Sequence, residues 1–207
     1  MKKLIKGLHK FQKEVFPLQK NYFEELVKEQ KPEVLFITCS DSRINPNLVT
    51  STGPGDLFIL RNAGNIIPAY GIASGEEATI EFAVVQLGIK HIIVCGHSFC
   101  GAIAAAIHPE QTQHMPDFSK WIMNHISPTL DLIKKNYTNL DPQSLLNVLL
   151  QENVLQQVEN LKTNPAVVDR MKKNKLSIHA WIYKIETGQI FSFNPQEEQF
   201  ELISKGM

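Results

Sequence analysis

A chain of 207 residues, 43% of them hydrophobic, holds enough apolar material to close one compact domain around a sizeable core. Its 21 lysines and arginines balance 21 aspartates and glutamates, so no net field draws in nucleic acid or an anionic membrane, and a small or neutral partner fits better. No run approaches the roughly 18 apolar residues of a membrane span, and three cysteines make a poor disulfide framework, so a soluble protein of a reducing cytoplasm is expected, its thiols available for metal or catalysis.

The N-terminus, MKKLIKGLHKFQKEVF, is basic, but lysines and a histidine interrupt it before an apolar run of signal-peptide length develops. Apolar residues at helical spacing predict two helices instead, Leu4–Phe16 and Tyr22–Gln30. They form an arm over residues 1–31, ahead of an α/β core over 32–207, the whole read as one domain. Because they precede the first strand, part of their apolar face has no home in a sheet-centred core, and docking on a partner subunit would bury it.

From Glu33 short apolar runs alternate with longer helical ones. VLFIT (Val34–Thr38), DLFILR (Asp56–Arg61) and HIIVCG (His91–Gly96) are β-branched or aromatic runs of strand length, as in strands buried on both faces of a parallel sheet. Between the second and third, Ser74 with Glu77 reads as a capping box and Gly88 as a C-cap, bounding a crossover helix. The alanine-rich GAIAAAI follows the third strand as a short helix. A loop over His108–Pro116 precedes helical stretches at Phe118–Lys135 and Pro142–Lys162. The chain closes on LSIHAWIYKI and QIFSF, a hairpin turning at Glu186-Thr187-Gly188. The expected class is α/β, a mainly parallel central sheet flanked by helices, with the hairpin at its edge.

Cys39 follows the first strand, and His97 and Cys100 follow the third, so all three project from one end of the sheet, where open α/β sheets bind ligands. Two thiolates and an imidazole suit a borderline-soft ion such as Zn²⁺, and three protein ligands leave an open, catalytic position. Buried, inert thiols are the bland alternative, and for Cys95, inside an apolar run, the better one. Asp41, in Cys39-Ser40-Asp41-Ser42-Arg43, is a fourth ligand or an acceptor for metal-bound solvent, and Arg43 can grip it bidentately; equally, Asp41 caps the next helix and Arg43 lies on the surface.

CSDSR after the first strand, RNAGN after the second and GHSFCG after the third, in that order from about Pro32 to Ala102, closely resemble the β-class carbonic anhydrases. The resemblance implies zinc held by Cys39, His97 and Cys100, with Asp41 and Arg43 as the catalytic dyad. It implies reversible hydration of carbon dioxide to bicarbonate, by a hydroxide that the metal generates and the dyad orients. Gln30, Phe58, Ala63, Phe82 and Gly101 would line the substrate pocket, in part across the interface of a homodimer or higher even-numbered homo-oligomer. A regulatory bicarbonate pocket of some members is not expected, because Arg61 and Tyr183 match it but Phe36 and Thr38 replace its tryptophan and glycine. A hydrolase of carbon disulfide or carbonyl sulfide could use the same centre, as could a non-catalytic zinc protein, although an intact dyad argues against the last.

Overall fold

The computed structural model describes residues 1–204. It divides into two compact units, Met1–Lys31 and the chain from Pro32 onward. In the first, α1 (Lys2–Lys10) runs on through a wider turn at Phe11–Val15 to Pro17–Gln19 and α2 (Lys20–Lys28). None of these segments buries a residue, and the apolar Leu4, Leu8 and Val27 are 65%, 60% and 87% exposed. Phe11, Phe16 and Phe23 pack on one another with ring centroids 5.2 to 6.2 Å apart. The second helix stops short of the predicted Gln30, because Glu29 is already extended.

The second unit is built on a six-stranded sheet. Its strands are β1 (Val34–Cys39), β2 (Leu57–Asn62), β3 (His91–His97), β4 (Ser177–Lys184), β5 (Gln189–Asn194) and β6 (Gln199–Leu202), in the order β2-β1-β3-β4-β5-β6. The first four are parallel and the last two antiparallel, so the expected hairpin stands at that edge, extended by a third strand. The apolar runs become β1 and β3, whose residues are buried except at the starting position of each.

On one face Leu35, Ile37, Ile92, Val94, Ala180 and Ile182 meet helices α4 (Gly75–Glu81), α8 (Pro142–Leu161) and α9 (Pro165–Lys172). Gly96 permits this, because a Cβ there would stand 2.7 Å from Val154 Cγ2 of α8. The buried cluster on the opposite face is small: Phe36, Ile93, Cys95 and Ile44. A third cluster joins Cys39 and Cys100 to α5 (Gly101–Ile107), α6 (Pro116–His125), α7 (Ser127–Asn136) and α8.

Three details depart from the sequence reading. The stretch Phe118–Lys135 is two helices, broken at Ile126, because Pro128 lacks the N–H that would bond back to Asn124 and carry the first helix on. The segment between His108 and Pro116 contains a short helical turn, Pro109–Thr112. Ser74 does cap α4, accepting from the Glu77 N–H at 3.1 Å, but the Glu77 carboxylate accepts from Gly71 N–H rather than closing the box. The expected crossover helix is otherwise present, α4 running on through a wider turn, Phe82–Leu87, to Gly88 at φ +66°.

Candidate metal centre

Cys39 ends β1 and His97 ends the neighbouring β3, so parallel pairing brings both to one end of the sheet. Cys100 precedes α5 as its N-cap residue. The two sulfurs are 3.8 Å apart, and with a His97 ring nitrogen all three donor atoms lie within 4.8 Å of one another. All three side chains are buried.

The backbone sets the roles of these atoms. Gly64 donates its N–H to Cys39 Sγ at 3.4 Å, from a loop position with φ +87° that an L side chain rarely adopts. His97 Nδ1 lies 2.9 Å from the Ser98 carbonyl, which only accepts, so the ring proton sits on Nδ1 and the lone pair on Nε2. Nε2 is fully buried and has no hydrogen-bond partner among the described residues. A buried acceptor left open beside two thiols suits a metal ion, and the S, N, S donor set selects a borderline-soft dication such as Zn²⁺.

Without a metal, the two thiols share a proton. The Cys39 thiol is lowered to about 4, chiefly because Cys100 donates its S–H to it, with the Gly64 amide adding a further bond against the opposing effect of burial. Cys100 is pushed up by giving that hydrogen bond, by burial and by the charge on Cys39. A bound dication removes this conflict by holding both as thiolates. Cys95 points into the opposite cluster, and burial pushes it up to about 12.

Asp41 stands beside this group, its Oδ2 3.9 Å from His97 Nε2. Arg43 holds it: Nε donates to Oδ1 at 2.9 Å, Nη2 to Oδ2 at 2.7 Å, and the Arg43 backbone N–H to Oδ1 at 2.9 Å. Those bonds keep the Asp41 carboxyl well below the usual carboxylate range. Nη2 also donates to the Phe99 carbonyl at 2.9 Å, tying the loop after β1 to the loop after β3. Asp41 does not serve as a helix cap; Asn45 caps α3 (Pro46–Thr50).

Arg61 turns back under the same loop. Its Nε donates to the Cys39 carbonyl at 3.0 Å, and Nη2 to those of Asp41 and Ile44 at 2.7 and 3.0 Å. The Thr38 hydroxyl meanwhile donates to the Cys95 carbonyl. These bonds occupy Arg61 and Thr38, one matching and one departing position among the four that bear on the unexpected bicarbonate pocket.

Of the expected pocket residues, Ala63 packs against the cluster containing Cys39 and Cys100, and its carbonyl accepts from Trp121 Nε1 at 2.9 Å. Gly101 opens α5, with nothing within 4 Å of where its Cβ would be. Phe58 and Phe82 pack on each other at 5.9 Å, Phe58 against the main core and Phe82 43% exposed. Gln30 lies exposed at the end of the first unit. Sequence reasoning missed the Gly64 amide, the Ser98 and Phe99 carbonyls and the use Arg61 makes of its donors; only Gly64 carried a signal, as a glycine just after a strand.

Fold and site together define an α/β protein with a Cys-His-Cys metal-ligand group at the carboxyl end of a parallel sheet. Residues 34–190 match the family described as Carbonic anhydrase. The carbonic anhydrase of Synechococcus elongatus is 46% identical over 196 residues, 94% of this chain and 72% of that one. The β-carbonic anhydrase CcaA superposes with a TM-score of 0.94 at 43% identity, over 98% of this chain and 99% of the other. One of two tetrameric β-carbonic anhydrases from Sordaria macrospora does so with a TM-score of 0.80 at 27% identity, over 92% and 95%. The chain belongs to the carbonic anhydrase family, in its β class, and is a lyase, a carbonate dehydratase.

Proposed function

We propose that this protein reversibly hydrates carbon dioxide to bicarbonate and a proton, with zinc held by Cys39, His97 and Cys100 and with Asp41 and Arg43 as the orienting dyad. The observation that carries the reading is the buried, unpartnered His97 Nε2 beside two thiols, with an arginine-held carboxylate 3.9 Å away. When bound, zinc acidifies a water ligand and so supplies a nucleophile near neutral pH. Asp41, kept ionised, accepts a hydrogen bond from the attacking oxygen and turns a lone pair toward the substrate carbon. Arg43 fixes the carboxylate through two parallel bonds, so this orientation is prepaid. Apolar Phe58, Ala63 and Phe82 suit a neutral substrate, Gly101 leaves room beside Cys100, and Gln30 supplies a donor to the developing charge.

The working unit in this reading is a homodimer or a higher even-numbered homo-oligomer in which Gln30 of the partner subunit completes the pocket. The exposed apolar residues of α1 and α2 support it, as does the tetrameric state of the Sordaria macrospora relatives. Three free, buried cysteines suit a reducing cytoplasm. Stopped-flow hydration on zinc-loaded protein, with a carbon disulfide and carbonyl sulfide panel beside it, tests the reaction. Hydration that is lost on chelation and returns with zinc is expected. Zinc-loaded protein that is inert toward carbon dioxide, or that turns over only the sulfur substrates, overturns it.

A further inference from the structure

The turn between β4 and β5 reaches back to the residue that follows His97. Ser98 Oγ donates to the Glu186 carboxylate at 2.6 Å and accepts from the Ile185 N–H at 2.9 Å. The Ser98 amide donates to the Tyr183 carbonyl, also at 2.9 Å, continuing the register that pairs His97 with Tyr183. Three bonds therefore hold a residue that is only 3% exposed, and its remaining polar group is the carbonyl that accepts the hydrogen bond from His97 Nδ1–H. That carbonyl selects the tautomer and sets the ring so that Nε2 faces the two cysteine sulfurs.

We infer that Ser98 and Glu186 are positioning residues for His97, fixing the carbonyl that orients it and making the hairpin turn part of the metal centre's support. The inference rests on the zinc reading above. Groups behind a metal-ligating histidine are typically worth about 10–100-fold in metal affinity, because a ring free to rotate or change tautomer must be reordered whenever the ion binds. The competing role is plain fastening of the hairpin. Fastening stabilises the metal-free and zinc-loaded forms alike, whereas positioning acts on the difference between them.

The test uses full-length Ser98→Ala, Glu186→Ala and Glu186→Gln, with zinc affinity read by chelator competition and melting temperature read with and without zinc. Glu186 is exposed, so its substitution leaves the core intact even if Ser98→Ala fails to fold. We expect Ser98→Ala and Glu186→Ala to weaken zinc by about 10-fold or more and to shrink the zinc-induced rise in melting temperature. Glu186→Gln, whose amide oxygen still accepts from Ser98, should restore most of both. Parental zinc affinity in Glu186→Ala, with equal melting losses in the two forms, overturns the inference. Failure of the zinc reading itself looks different, since the parent protein would then take up no zinc.

Discussion

Arg43 holds both carboxylate oxygens of Asp41, at 2.9 and 2.7 Å, while the same Nη2 reaches across to the Phe99 carbonyl. The pair is thus a strap between the loop after Cys39 and the loop before Cys100. Asp41→Ala should keep zinc and lose activity by about 100-fold or more, at or beyond the upper end for groups one step removed from a metal, since in the proposed reaction this carboxylate accepts directly from the attacking oxygen. Arg43→Lys should also lose most activity, because a point charge cannot reproduce the two-pronged grip. Metal content and stopped-flow rates on both variants decide this, and a near-parental rate in either would remove the dyad from the mechanism.

Cysteine substitutions separate the two faces of the sheet. Cys39→Ser, His97→Ala and Cys100→Ser should each abolish tight zinc binding, leaving two of the three donors that now lie within 4.8 Å of one another. Cys95→Ser should keep one zinc per chain, since its thiol sits with Phe36, Ile44 and Ile93 on the other face. The cost there is stability, about 1–3 kcal/mol for a hydroxyl placed in an apolar cluster. Metal analysis and denaturant titration of the four variants read both effects, and zinc lost from Cys95→Ser alone would sink the assignment.

Gly96 offers a purely steric test. A methyl at this position meets Val154 Cγ2 at 2.7 Å and Ile182 Cδ1 at 3.2 Å, so α8 must shift away from β3 or β4 must give. Gly96→Ala should destabilise by about 1–3 kcal/mol, the usual range for overpacking. Because Gly96 immediately precedes His97, a displaced strand end should lower zinc affinity as well. Urea unfolding and chelator competition measure the two losses, and a variant as stable as its parent would mean that the helix is not seated as described.

The parallel strands were legible because β1 and β3 are buried on both faces and so read as unbroken apolar runs ending at Cys39 and His97. Helix α8 was legible from its proline start and length, and α4 from Ser74. What escaped notice was short or set by long-range contact. Helices α3 and α9 and strand β6 have five, eight and four residues, too few for a period to show. The bond from Ser98 to Glu186 spans 88 residues, and no local pattern in either segment announces it. Arg61 matches one position of a bicarbonate pocket that the sequence does not lead one to expect, and its use is different: three backbone carbonyls claim its donors, which appears only once the loop after β1 is folded.

The last prediction concerns acid stability and lies away from the metal centre. His179 on β4 is half-buried, its Nε2 3.3 Å from His91 Nδ1 on β3, and burial, followed by the charge His91 would carry, lowers its pKa below the ordinary value. A lowered folded-state pKa means that the unfolded chain binds the proton more tightly. The stability contributed by neutral His179 is therefore complete above about pH 6.5, the unfolded value, and is lost as pH falls through the folded one. His179→Gln removes that titration and leaves the metal ligands alone, so their own acid sensitivity cancels when parent and variant are compared. Between pH 7.5 and pH 5 the parent's melting temperature should fall further than the variant's. Equal falls would mean that His179 takes up its proton in the folded protein as readily as in the unfolded chain, and that the strand pair imposes no such cost.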